Sequence, residues 1–279
     1  YGPDGEDSYL TADGPRKFDV ETETLEVAGG ESETLVVRKT IWGPVIGDDG
    51  DGHALALAWT AHRPGAMDMA LMRFEGAGDL DSAAAIIGGA GIPGQNVMIA
   101  DRGGRIGWVL SGRLPRRQGI DPLRPSSWSA DGAGWNGWIP REESPRLLDP
   151  SGGFAWSANA RVVGGEAYGL IGDGDYAPAA RARQIRDRLA AIDRAKPADM
   201  LAIQLDDRAD FAARWQPILL RALTQAGEGE AARLVAGWSG HAAIDDAGYR
   251  LLREFEREVS SRAFEMLAVE AIARWPDFR

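Results

Sequence analysis

The run Asn96-Val97-Met98-Ile99-Ala100, the run Ile106-Gly107-Trp108-Val109-Leu110 and the Asp101-Arg102-Gly103-Gly104-Arg105 between them decide the fold. Both runs are apolar, too short to make a stable helix, and rich in residues that suit a pleated surface. The glycines between them suit a tight reversal, so the stretch predicts a β-hairpin.

Reading outward, residues 22–27 (TETLEV) and 33–40 (ETLVVRKT) alternate polar with apolar around Ala28-Gly29-Gly30-Glu31, which predicts a second hairpin. GDDGDG at 47–52 reads as a loop before a strand over 53–60 (HALALAWT), and 153–159 (GFAWSAN) reads as another strand. Residues 79–87 read as a helix, with Asp81 or Ser82 placed to accept from its first backbone N–H groups. Residues 111–152, crowded with Pro, Gly and Trp and without a lasting period, read as an ordered aromatic loop packed over the sheets.

Past Pro178 glycine thins out and apolar residues recur at helical spacing, as at Ile185, Leu189 and Ile192. Pro197, Pro217 and Gly227 divide this part into helices near 179–194, 198–205, 208–225, 228–238 and 246–274. The fold class is therefore α+β, with a β-rich part over 1–177 and a helical part over 178–279. They are either two domains or layers of one fold.

Composition narrows the function. The 279 residues carry 42 acidic and 31 basic side chains, a formal charge of −11, so net charge does not attract nucleic acid or an anionic membrane. No apolar run approaches the roughly 20 residues that span a bilayer. The chain has no cysteine, and therefore no disulfide, thiolate metal site or cysteine nucleophile.

Several short motifs read as structure. Gly89-Ala90-Gly91-Ile92-Pro93-Gly94 fits G-x-G-x-x-G, yet a helix precedes it and a strand follows, the reverse of a dinucleotide site. Asp48, Asp49 and Asp51 lack the Gly and Glu of a calcium loop and read as a solvated turn. His53, His62 and His241 are too scattered for a ligand spacing. No G-x-S-x-G elbow occurs. The adjacent pairs Glu142-Glu143 and Asp206-Asp207 diverge on any element and read as surface charge.

What remains is a set of strings in fixed order: Arg38-Lys-Thr-Ile-Trp-Gly-Pro-Val-Ile46, Ala58-Trp-Thr60, Gly94-Gln-Asn96, Arg105-Ile-Gly-Trp108, Gly112-Arg-Leu-Pro-Arg116, Trp135-Asn-Gly-Trp-Ile-Pro140, Ser157-Ala-Asn-Ala-Arg161, Gln204-Leu-Asp206 and Trp238-Ser-Gly240. Together they resemble the penicillin acylase family over nearly everything from Tyr9 onward. The resemblance implies a four-layer αββα sandwich and an N-terminal-nucleophile amidohydrolase. In that family a precursor cuts itself, and the new first residue, usually Ser, attacks a linear amide with its own α-amine as base.

On the same resemblance, Asn159 matches the Asn whose side-chain amide helps hold the tetrahedral oxyanion, and Arg181 the Arg that supports it. Trp59 and Gln95 match strand positions lining the acyl pocket. Read without the family, Asn159 closes a strand, Arg181 is a solvated Arg opening a helix, Trp59 is a core residue and Gln95 a structural amide. Tyr1 lacks an aliphatic hydroxyl, and none of the 36 glycines is followed by Ser, Thr or Cys. The expectation is thus an interior fragment of the long chain, inactive alone, whose partners are the short chain and the upstream part of the same precursor. Its substrate would be an acylated amine: a penicillin-type side chain, an N-acyl-homoserine lactone or another amide. Periplasmic or secreted location is implied by resemblance alone.

Three positions depart from the pattern. Trp42 stands where His is usual, Ala160 replaces a common second Asn, and Leu170 falls where some members offer a calcium-binding Asp. Pro122 keeps a position whose carbonyl helps bind that calcium, so the expectation is no cofactor, with calcium a family possibility. The rival reading is a non-catalytic secreted module whose tryptophans at 128–138 stack on a ligand.

Overall fold

A computed structural model of the chain describes residues 2, 5, 7–172 and 174–274; Tyr1 lies outside them. The chain forms two compact units, Tyr1–Ala177 and Pro178–Arg279. Mixed helices and small antiparallel sheets make it α+β. Among the described residues no helix is long and apolar enough to cross a membrane.

Among the described residues the first unit carries eleven strands: β1 (Ser8–Thr11), β2 (Gly14–Lys17), β3 (Asp19–Leu25), β4 (Glu33–Lys39), β5 (Val45–Asp48), β6 (Ala54–Ala56), β7 (Asn96–Ala100), β8 (Ile106–Leu110), β9 (Pro115–Gln118), β10 (Gly134–Trp138) and β11 (Arg146–Leu148). β1–β2, β3–β4, β5–β6 and β9–β10 are two-stranded; the largest sheet has the order β11-β8-β7. The hairpin read from 96–110 is present, with Asn96 opposite Leu110 and Ala100 opposite Ile106.

Helix α1 (Leu80–Gly89) lies on this sheet because Leu80, Ala83, Ala84 and Ile87 fall on one face at helical spacing. They form one buried cluster with Ile99 and Val109. Its cap is Asp79, not Asp81 or Ser82: the Asp79 carboxylate accepts from Ser82 N, and Ser82 Oγ accepts from Asp79 N, a reciprocal capping box. That pairing holds the Asp79 carboxyl below its ordinary pKa, the Ser82 hydroxyl contributing most.

Three expectations need correction. Residues 153–159 form no strand, because Gly153, Ala158 and Asn159 have positive φ and interrupt extended backbone. The run at 53–60 is a strand only over Ala54–Ala56 and turns into a short 3-10 segment at Thr60–His62. The region 111–152 is not all loop: it contains β9, β10 and β11, with an irregularity between Trp135 and Trp138 that spoils the alternation. Helix α2 (Gly165–Ile171) and the 3-10 segment Ala70–Gly76 were not anticipated.

Three tryptophans pack in a row with Tyr9. Tyr9 meets Trp42 at 5.6 Å between ring centroids, Trp42 meets Trp128 at 6.0 Å, and Trp128 meets Trp135 at 5.6 Å. Trp42 is thus a rung in an aromatic ladder.

In the second unit, α3 (Ala180–Ala190), α4 (Pro197–Gln204), α5 (Gln216–Ala226), α6 (Gly229–Ala236), α7 (Ala247–Leu267) and α8 (Val269–Arg274) follow in order. The core joins Ala212, Leu219, Val235, Trp238 and Leu252. Asp206 corrects the surface-charge reading: its side chain is only 8% exposed and pairs with Arg188 and Arg208.

Candidate active site

The approach to β7 is shaped by Ser111 and Gly112. Ser111, wholly buried, accepts from Gln95 N with its Oγ at 3.0 Å, while its own N–H donates to Gln95 O at 2.9 Å. At Gly112, with φ +83°, a Cβ would lie 2.5 Å from Ile92 O, so only glycine lets these two segments meet. The result is a fixed Gly94-Gln95 corner just outside β7, not a strand position.

Two cavities open from this corner. One, of about 310 Å³, is lined by Gln95, Asn96, Trp108, Leu114, Asn159, Ile171 and Tyr176 among others. Trp108, 1% exposed, donates its indole N–H to Asn96 Oδ1 at 2.9 Å and so fixes one wall. Asn159 sits at φ +60°, a conformation Asn tolerates better than most residues, and its carbonyl accepts from Ala177 N at 3.0 Å. Ala160 is buried and leaves no polar group there.

The other cavity, about 680 Å³ and mainly apolar, is lined by Met69, Leu71, Met72, Phe74, Ile87, Ile92, Val97 and again Gln95. Asp68 anchors its rim. The carboxylate accepts from Gly91 N and Ala70 N, each at 2.9 Å, and from Arg113 at 3.0 Å. The Gly91 N–H foremost, then Ala70 N–H, holds the Asp68 carboxyl below its ordinary pKa, with Arg113 adding to the effect. Gly91 is glycine for packing: a Cβ there would lie 2.6 Å from Asp68 N. Gly89 is likewise crowded, a Cβ there running into Arg141 Nε, so packing accounts for the first two glycines of the G-x-G-x-x-G string without a phosphate. Neither Asp68 nor the methionines were singled out from the sequence, since a lone Asp and scattered methionines carry no spacing signal.

The structure therefore brings Gln95 and Asn159 to one cavity. Trp59 is not on a strand; it is half exposed, caps the 3-10 segment Thr60–His62 and meets the His62 ring edge-on at 5.2 Å. Arg181 belongs to the second unit, where it lies exposed on the first turn of α3.

The calcium possibility does not fit the donors present. Leu170 supplies no carboxylate, and its carbonyl oxygen, with that of Ile171, is taken by the guanidinium of Arg117. Among the described residues no three His, Asp or Glu side chains converge as a metal site.

The family model for penicillin amidase matches residues 1–278. The chain belongs to the penicillin amidase family. It is 32% identical over 185 residues to the penicillin acylase 2 proenzyme of Pseudomonas sp. (strain SE83), covering 65% of this chain and 24% of that protein. It is 29% identical over 119 residues to the acyl-homoserine lactone acylase QuiP of Pseudomonas fluorescens (strain Pf0-1), covering 43% and 14%. A thermostable penicillin G acylase from Alcaligenes faecalis shares its fold, with a TM-score of 0.65 over 88% of this chain and 45% of that one, at 17% identity. The chain thus spans under half of the solved acylase and about a quarter or less of the curated relatives it matches.

Proposed function

We propose that this penicillin amidase family chain is part of an acylase that hydrolyses a linear amide, with the scissile bond held beside Gln95. The observation that carries the reading is that Gln95 lines both cavities, the apolar one with Met69, Met72 and Phe74 and the polar one with Asn159. An acyl group suits the first. The carbonyl and its amine leaving group suit the second.

In this reading the attacking hydroxyl belongs to the new N-terminal Ser of the processed precursor, a residue not among these 279. Its α-amine, near neutral pKa, takes the hydroxyl proton as the C–O bond forms. Asn159 donates an amide N–H to the oxyanion, a neutral donor that stabilises charge without losing its proton. Collapse breaks the C–N bond, the amine leaves with the proton from the α-ammonium, and water then hydrolyses the acyl ester.

The experiment is intact-mass analysis and N-terminal sequencing of the purified parent protein, then kinetics of Asn159→Ala. Two chains with a new N-terminal hydroxyl or thiol residue, and a kcat lower by roughly 10²–10³-fold, are expected. A single uncut chain, or a variant with unchanged kcat, overturns the reading.

A further inference from the structure

Arg117 on β9 reaches across more than fifty residues of sequence to the end of α2. Its Nη1 donates to Leu170 O at 2.6 Å and its Nη2 to Ile171 O at 3.1 Å. These carbonyls belong to the last two residues of the helix, which have no partner within it and carry the negative end of its dipole. Pro122 crowds the same point. At Gly172, with φ +83°, a Cβ would lie 2.8 Å from Pro122 O and 3.3 Å from Arg117 Nη2. A cation, two helix-end carbonyls and a third carbonyl nearby thus meet at a glycine that leaves them room.

We propose that Arg117 is an internal, covalently held cation that ties α2 to β9 beside the Asp121-Pro122 turn, at the place where the family resemblance implies calcium. The planar guanidinium matches two adjacent carbonyls with two parallel N–H donors. Partial burial lowers the Arg117 pKa from its ordinary value, yet a guanidinium remains charged at neutral pH. Because the cation is part of the chain, no dissociation equilibrium governs this tie. Arg117 is a positioning residue here: Ile171, within the tie, and Gly174 and Tyr176, just beyond it, line the cavity that holds Asn159. The inference stands on this geometry and does not require the acylase reading.

The test is thermal unfolding of the protein with a calcium chelator and with added calcium, together with amide exchange over 165–172. The wild type should keep one Tm in all conditions. Arg117→Met should lower Tm by about 5 °C, the order expected for lost charge-assisted bonds in a domain of this size. Exchange over 165–172 should then speed up about tenfold or more, without recovery on adding calcium. Arg117→Lys should recover part of both losses, since an ammonium reaches one carbonyl at a time. A chelator-induced fall in wild-type Tm that calcium restores overturns the proposal, as does wild-type exchange in Arg117→Met. If Arg117→Met does not fold, the chelator arm and Arg117→Lys still decide.

Discussion

Arg188 Nε donates to Asp206 Oδ2 at 2.8 Å, joining α3 to the turn that follows α4. The same carboxylate accepts from Arg208 Nε at 2.7 Å and from Gln184 Nε2 at 3.1 Å. Gln184 also donates to Arg208 O, so one carboxylate organises a three-way junction. Asp206→Asn keeps the shape and removes the charge that both guanidinium groups face. The cost should be about 1–2 kcal/mol in urea unfolding at neutral pH, modest because Arg188 and Arg208 are 29% and 44% exposed and partly screened.

The same junction sets a pH dependence. The Asp206 carboxyl is held well below its ordinary value of 3.8, first by the Arg208 hydrogen bonds, with burial opposing and Arg188 and Gln184 adding. A depressed folded pKa gives stability that is complete above the unfolded value and lost as pH falls toward the folded one. The stability gap between wild type and Asp206→Asn should therefore be constant from pH 7 to 5 and narrow steadily below pH 4. A gap that stays constant down to acid unfolding would count against the charge as its origin.

Ser111 offers a cleaner structural test at the corner beside β7. Ser111→Ala removes the acceptor of Gln95 N and should cost about 1–3 kcal/mol, the penalty for stranding a buried donor. Ser127→Ala, at an exposed hydroxyl, should stay within about 0.5 kcal/mol of wild type. Equal effects at the two sites would show that the Gln95 corner is not held by Ser111.

How far the sequence reveals this molecule depends on the range of the interactions involved. The hairpin at 96–110 and helix α1 are legible because one shows two short apolar runs around a glycine-containing turn and the other sets its apolar residues on one helical face. β9 and β10 are not, since Pro, Gly and a register irregularity break the pattern and their pairing joins residues about twenty apart. The loop at 153–159 reads as strand because φ is invisible in residue type when Ala rather than Gly adopts a positive value. Asn159 is visible only through a string of neighbours that match a family. Arg117, Asp68 and Asp206 each depend on at least one partner far along the chain, Leu170 and Ile171, Gly91 and Arg113, and Arg188 and Gln184 respectively, for which no local spacing exists.

Ala158 and Asn159 give the sharpest joint test of strain and function. Asn159 at φ +60° is ordinary for an Asn, but Ala158 at φ +140° holds a backbone conformation that belongs to glycine. Ala158→Gly should relieve that strain and raise stability by about 1 kcal/mol, against the usual loss when glycine replaces alanine. Relief has a consequence for the neighbouring side chain. A glycine at 158 samples more backbone states, so on the proposed acylase reading the Asn159 amide spends less time where an oxyanion would form, and kcat of the parent protein should fall a few-fold while Tm rises. Opposite signs in the two measurements are the expected signature. If Tm falls instead, Ala158 is not strained and the loop geometry around Asn159 is set by its other contacts; if Tm rises with kcat unchanged, the position of the Asn159 amide is not what limits the reaction.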